Sequence, residues 1–179
     1  MAGGFRPIQD ISGGSYTGKV QTFAVAAGHA SLLAVGDLVL ITGTARASDG
    51  MAEVDAATAG SLITGPIVAI DYNISNLETK GLAAATAGTV KVATDPMILM
   101  EASGNASVAL TDVGSNCDIV ATAASASGGL VNSNMVINIS TASAASAQIR
   151  LEGLKDGVIT SSSVIYCRVN ESSSATVGI

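Results

Sequence analysis

Few residues of this 179-residue chain could support catalysis or metal binding. The single histidine, His29, lies in an Ala- and Gly-rich turn, and no G-x-S-x-G motif marks one of the many serines as a nucleophile. Asp49, Glu53 and Asp55 lie near a glycine but lack the ligand density of a calcium loop, so they indicate a solvated turn. We therefore predict a protein without enzymatic activity, cofactor or metal ion.

The two cysteines, Cys117 and Cys167, lie far apart in strand-like runs and show no metal-ligand spacing. They could pair across two strands. The N-terminal sequence MAGGFRPIQD lacks the uninterrupted apolar segment of a signal peptide, which favours synthesis in a cytoplasm. Because thiols stay reduced there, two small buried side chains are the favoured interpretation.

The composition predicts a subunit of a larger assembly. The chain is 48% hydrophobic but only 12% charged, whereas about 25% charged residues is typical of soluble domains. A surface with so few charges is poorly protected against association.

The charge distribution argues against nucleic-acid and membrane partners. The net charge is −6, and the eight Lys and Arg residues are scattered along the chain. A protein that binds nucleic acid or an anionic membrane needs clustered basic residues. The apolar run 20–41 does not predict a membrane span, because His29, Gly36 and Asp37 interrupt it.

Residues 88–102 form the predicted centre of the fold. Val90 and Val92 alternate with polar residues, which is the period-two pattern of a half-buried strand. Asp95-Pro96 favours a turn, and the run 97–100 that follows is apolar on both faces.

Similar short runs, separated by turn signals such as Asp49-Gly50, continue along most of the chain. They predict an all-β fold of about ten short strands, a β-sandwich or β-barrel, as a single domain over residues 19–179. Pro66 predicts an edge strand or a bulge. We expect residues 121–129 to form a loop, and Gln148 and Arg150 to face water.

Residues 1–18 are predicted to form an extended N-terminal arm, because their glycines disfavour regular structure. Isolated apolar residues along this arm favour contact with a neighbouring subunit. The alternative is an arm packed on its own domain. The predicted contacts to neighbouring subunits are Phe5, Arg6, Pro7, Ile8 and Tyr16.

Several motifs, in order along nearly the whole chain, resemble the capsid decoration, or cement, proteins of tailed bacteriophages, especially those of cyanophages and other marine phages. The matching pieces are Phe5-Arg6-Pro7, Gly14-Ser15-Tyr16-Thr17-Gly18, Gly36-Asp37-Leu38-Val39, Ala57-Thr58-Ala59-Gly60, Ile63-Thr64-Gly65-Pro66-Ile67-Val68, Asn76-Leu77, Gly88-Thr89-Val90-Lys91-Val92, Asp95-Pro96, Asp112-Val113-Gly114-Ser115-Asn116 and Gln148-Ile149-Arg150-Leu151-Glu152-Gly153-Leu154. Pro66 departs from the family pattern, in which a residue able to continue the strand is more usual.

The resemblance implies a structural virion protein that is made in the host cytoplasm and lies on the outer surface of the phage head. Its partners would be the major capsid protein and further copies of itself, as a homotrimer or, alternatively, a dimer. Two other functions remain open at this point. One is a tail or fibre component of a virion, and the other is a non-viral adhesive or sugar-binding β module.

Overall fold

The computed structural model describes residues 3–16, 18–71, 80–127, 130–142, 146–155, 157 and 163–172. These residues form thirteen β-strands and two single-turn 3₁₀ helices, and they contain no α-helix. The predicted all-β class is confirmed, and the architecture combines a closed barrel with an open sheet. Thr17 and Asn76-Leu77 of the phage-like motifs lie outside the described residues.

Five strands from the first half of the chain close into a barrel in the order β2-β4-β3-β5-β6. Their bounds are β2 Val20–Val25, β3 Leu38–Ala45, β4 Ala52–Ala56, β5 Gly65–Ile70 and β6 Gly88–Ala93. Alternate residues of these strands fill the barrel, as the period-two pattern predicts. Val90 and Val92 are fully buried inside it, while Lys91 between them is exposed.

Six further strands form an open antiparallel sheet in the order β1-β7-β13-β12-β8-β11. Their bounds are β1 Arg6–Asp10, β7 Ile98–Ser103, β8 Asn116–Val120, β11 Val136–Asn138, β12 Ile149–Leu154 and β13 Val164–Val169. A separate hairpin contains β9 (Ser125–Ser127) and β10 (Leu130–Asn132).

Residues 88–102 connect the two parts of the molecule. β6 belongs to the barrel and β7 to the open sheet, and the turn at Asp95-Pro96 joins them. An Asp95 carboxylate oxygen accepts a hydrogen bond of 2.9 Å from the N–H of Met97, which stabilises this turn. Residues 98–102 are all buried, so the prediction of a run covered on both faces is confirmed for residues 98–100. Met97, which the prediction included, is 46% exposed.

Besides the cluster inside the barrel, a second and larger apolar core extends from the sheet to one end of the barrel. It contains sheet residues such as Met100 and Ile149 together with Leu38, Ile63 and Ala93 from the barrel side. The barrel and the sheet therefore bury apolar surface against each other, and this shared core positions one relative to the other.

Gln148 corrects the prediction of a water-facing side chain, because it is fully buried. Its amide nitrogen donates to the carbonyl oxygens of Thr58 and Ser61, at 2.8 and 2.6 Å, in the loop that leaves β4. Its amide oxygen accepts from the N–H of Ile119 in the sheet, at 3.2 Å. The side chain thus satisfies buried backbone groups in both parts of the molecule. Arg150, in contrast, is partly exposed, and its guanidinium lies beside Glu152.

The N-terminal segment also differs from its prediction. Residues 6–10 form β1 and pair with β7, so the chain does not separate into an arm and a domain at residue 18. The alternative, packing on its own domain, is what the structure shows. The cause is the burial of Phe5 in the core, which anchors the segment despite its glycines.

One further prediction needs local correction, and of the two interpretations of Pro66 the structure supports the bulge. Residues 125–127, inside the expected loop 121–129, form the short strand β9. Pro66 lies in a closed barrel and therefore not at an edge. It is the second residue of β5, and its missing N–H is tolerated because pairing with β6 begins only at Ile67, next to a bulge.

Candidate functional site

A cleft of about 430 Å³ lies between the barrel and the N-terminal side of the open sheet. We call it the N-terminal cleft. Its walls are largely apolar, and charged side chains occur together on the sheet side. The residues that matter for its chemistry are Arg6, Pro7, Tyr16, Val35, Glu101 and Lys155.

Backbone contacts hold the N-terminal wall of the cleft against the barrel. The N–H of Phe5 donates to the carbonyl oxygen of Gly36 at 2.8 Å, and the N–H of Gly4 donates to that of Met135 at 3.1 Å. Gly4 has a φ of +101°, and a Cβ there would lie 2.7 Å from the Cβ of Ser133. Only glycine fits this position without strain, so the close approach that forms the wall depends on it.

Three charged side chains meet at the sheet side of the cleft. The carboxylate of Glu101 is buried and accepts hydrogen bonds from the guanidinium of Arg6 and, at 2.7 Å, from the ammonium of Lys155. Burial alone would raise the pKa of Glu101, but the bonds from Lys155 and Arg6 lower it below its usual value. Among the described residues that line the cleft, two cations face one carboxylate, which leaves one positive charge in excess at its mouth.

Tyr16 supplies an unused polar group beside these charges. Its side chain packs against the core, and its hydroxyl is buried without a hydrogen-bond partner among the described residues. Burial raises the pKa of this hydroxyl, so it stays protonated at neutral pH and remains able to donate a hydrogen bond.

The five predicted contact residues have different positions in the structure. Arg6, Pro7 and Tyr16 line the cleft, and 70% of the Arg6 side chain is exposed. Phe5 is only 1% exposed, because its ring belongs to the core. Phe5 also borders the cleft, but its side chain is almost wholly used in core packing. Ile8 is half-buried at a bulge in β1 and lies outside the cleft lining.

Glu101 and Lys155 are residues of the cleft that the sequence analysis missed. Glu101 carries a recoverable signal, because it is a charged residue inside a run that is otherwise apolar and buried. Buried charges require partners, which points to Arg or Lys nearby. Lys155 follows β12 on the surface, and nothing in its local sequence connects it to Glu101.

The other candidate groups have structural roles. The Nε2 of His29 lies 3.0 Å from the carbonyl oxygen of Thr86, and the imidazole is buried between two barrel loops. Asp49 forms an ion pair with Arg46, and Glu53 accepts a hydrogen bond of 2.7 Å from Thr44. In the part of the chain that the structure describes, no three His, Cys, Asp or Glu side chains come together as ligands for one metal ion.

Cys117 and Cys167 are both free and buried, in agreement with the favoured interpretation. Burial raises the pKa of the Cys117 thiol to about 11, and it raises that of Cys167 further. Both thiols are therefore protonated and weakly reactive at neutral pH.

Both edges of the open sheet are obstructed. At the β1 edge, Pro7 lacks an N–H, a bulge lies between Pro7 and Gln9, and Gln9 forms a bridge with Ser15. At the β11 edge, the loop around Gly104 forms a bridge with Ile137. Such features prevent another chain from adding a strand. At the edges of this sheet, contact through side chains is therefore favoured over strand addition.

Among the described residues, no helix is long and apolar enough to cross a membrane. No protein-family model, no curated protein and no solved structure matches the chain. The interpretation of its function therefore depends on the cleft, on the surface around it and on the motif resemblance.

Proposed function

We propose that this protein is a non-enzymatic structural subunit that binds the outer surface of an assembled phage head and stabilises the major capsid lattice. The observation that carries this proposal is the N-terminal cleft. Arg6, Pro7 and Tyr16 line it, and the same residues belong to the motifs that resemble capsid decoration proteins. The cleft has apolar walls and a cationic mouth, which suits a side-chain contact with another protein surface.

The exposed surface supports the same proposal. Large apolar side chains, including Val35, Leu62, Leu110 and Leu130, are each at least half exposed. The chain has few charges to oppose association. Exposed apolar side chains on such a surface are typical of a protein that functions in contact with other subunits.

Stabilisation of the shell would be an effect of mass action. A subunit that binds only the assembled lattice stabilises it by about RT ln(1 + [L]/Kd) at each site. Many equivalent sites on one head add these contributions, so modest affinity per site is sufficient. The rigid, fully β scaffold serves this role, since it positions the contact surface without rearrangement on binding.

The test is binding of the purified full chain to expanded tailed-phage heads that lack their decoration subunit. Co-sedimentation should saturate at a copy number comparable with that of the major capsid protein, and bound heads should release DNA at a higher temperature. Arg6→Glu should weaken binding at least tenfold, because it reverses the exposed charge at the cleft mouth. Lys91→Glu is the matched control on the barrel wall and should bind normally.

Saturation at only a few copies per particle would instead indicate a tail or fibre component. Equal binding by Arg6→Glu and the wild-type protein would remove the cleft from the proposal. Deletion of residues 2–18 is a poor test, because it removes β1 and the core residue Phe5 along with the cleft.

A further inference from the structure

The most exposed large apolar side chain in the described part of the molecule is Leu110, at 62%. It lies on a short projecting segment, Ala109–Val113, which we call the knob. Val113 is also exposed, at 39%. Asp112 lies between these two apolar residues, so the knob combines an apolar tip with a carboxylate.

Hydrogen bonds hold the knob in one conformation. The N–H of Ala109 donates to the Asp112 carboxylate at 2.8 Å, and the N–H of Asp112 donates back to the carbonyl oxygen of Ala109 at 3.0 Å. Immediately after the knob, Gly114 and Ser115 each bond to the backbone of Leu151 in β12, at 2.8 and 2.9 Å. The knob therefore presents Leu110 on a fixed support, which lowers the entropy cost of docking.

The other exposed apolar side chains lack this combination or are less exposed. Leu62 and Leu130, at 52% and 53% exposure, have no acidic neighbour within two described positions. Met97, at 46%, follows Asp95, but that carboxylate forms an ion pair with Lys19. Val35 and Ile11 have an acidic residue within two positions but are only 50% and 36% exposed. The knob is thus the most exposed apolar site that has a carboxylate beside it.

The knob does not fill the cleft of its own chain. None of residues 109–113 lines that cleft, and the backbone bonds of Gly114 and Ser115 to Leu151 hold the end of the knob on β12. The occupant considered for the cleft is therefore the knob of a second copy.

We propose that Leu110 of one copy enters the N-terminal cleft of a second copy and that Asp112 then faces Arg6 and Lys155. The contact rests on the self-association included in the proposed function, and it names the two surfaces involved. Asp112 supplies the negative charge that balances the excess cation at the mouth of the cleft. Because both edges of the open sheet are obstructed, strand addition does not compete with this side-chain contact.

Different surfaces of the two copies meet in this contact. Two arrangements occupy every knob and every cleft: a two-fold dimer whose copies exchange knobs reciprocally, and a closed head-to-tail ring of three or more copies. Sedimentation equilibrium distinguishes the two by the mass of the assembly.

The experiment uses sedimentation equilibrium of the full chain with two complementary variants. Leu110→Asp removes the knob and keeps the cleft, and Val35→Asp places a charge in the cleft wall and keeps the knob. Each variant should associate at least tenfold more weakly than the wild-type protein. Leu130→Asp, the control at a comparably exposed leucine, should associate normally. Thermal unfolding of each variant verifies that the fold is intact.

Mixing the two variants is the most discriminating test of the contact between knob and cleft. The intact knob of Val35→Asp can still enter the intact cleft of Leu110→Asp, so the mixture should form a 1:1 dimer that grows no further. Failure of the mixture to associate, or unchanged association of either variant alone, would overturn the proposal. A wild-type protein that stays monomeric at all concentrations would overturn it as well.

Asp112→Asn tests the attraction between the Asp112 carboxylate and the two cations of the cleft. The amide keeps an oxygen that can accept the hydrogen bond from the N–H of Ala109. Wild-type association should weaken as salt increases, and that dependence should be smaller in Asp112→Asn. Binding of the wild-type protein to phage heads is measured separately. Normal head binding with no self-association would contradict the knob contact alone, whereas self-association without head binding would contradict the proposed function alone.

Discussion

The barrel and the open sheet differ in how they protect the unpaired backbone groups of edge strands. The barrel closes on itself, and its interior is a cluster of apolar side chains. The open sheet has two edges, both obstructed, and a buried carboxylate held by two cations. The barrel is therefore best suited to be a scaffold. The unusual chemistry lies where the sheet meets the barrel, at the N-terminal cleft.

This difference between the barrel and the open sheet indicates where a partner can bind. Apolar packing inside the barrel contributes stability but exposes nothing that distinguishes one partner from another. Charged groups at the cleft contribute less stability, yet they can select a partner by charge. Four experiments test this division of roles.

The largest effect is expected from cavities in the two parts of the core. Ile149→Ala in the sheet and Ile67→Ala in the barrel should each lower the free energy of unfolding by about 3 kcal/mol, because both side chains are fully buried. Both variants should unfold in one transition in urea, since the parts share a core. Ile41→Ala, at a side chain that is 40% exposed, is the control with a small effect. Two separate transitions would show that the barrel and sheet fold independently.

A smaller loss of stability is expected when the hydrogen bonds of Gln148 between the open sheet and the loop after β4 are removed without creating a cavity. Gln148→Leu removes the donor to the carbonyl oxygen of Ser61 and the acceptor of the Ile119 N–H. The carbonyl oxygen of Thr58 keeps its hydrogen bonds from Ser61. The free energy of unfolding should fall by about 2 kcal/mol, as buried unsatisfied groups typically require. Gln21→Leu, at an exposed position in β2, should change it little. Equal stabilities of the two variants would contradict the role of Gln148.

At the cleft, Glu101→Gln should cost about 1 kcal/mol at neutral pH, because two charge-assisted hydrogen bonds are weakened and Arg6 is largely exposed. The folded-state pKa of Glu101 is lowered, so its contribution is present above the ordinary pKa of about 4.3 and disappears as pH falls through the folded value. Urea unfolding between pH 7 and pH 3 should show a flatter acid limb for the variant. An unchanged acid limb would contradict this assignment.

The smallest effect, with the opposite pH dependence, is expected at Asp37. Burial raises the pKa of this carboxyl, although the N–H of Ala34 donates to it at 2.7 Å. Ionised Asp37 thus opposes folding above its folded-state pKa, and this cost is relieved as pH falls. Asp37→Asn should keep the bond to Ala34 and change stability at pH 7 by less than about 1 kcal/mol, in the stabilising direction. A larger loss would indicate that the negative charge itself is required.

The local features of the fold were predictable because strand patterns are local. The inward positions of Val90 and Val92, the turn at Asp95-Pro96 and the fully covered strand that follows all agree with the structure. Gln148 was predicted wrongly because alternation within β12 says nothing about the loop that packs over its end. The N-terminal strand was missed for a similar reason. The glycines on either side of it disfavour regular structure, and the burial of Phe5 that holds the segment in place depends on the tertiary fold.

The sequence by itself determined the all-β class, the faces of the principal strands and the sparse charge of the surface. These properties follow from side-chain alternation and composition, which need no knowledge of the chain path. The tertiary structure alone decided that Glu101 lies beside Arg6 and Lys155, which are 95 and 54 positions away along the chain. Pairing across such distances depends on how the sheet is connected, and no local pattern carries that information.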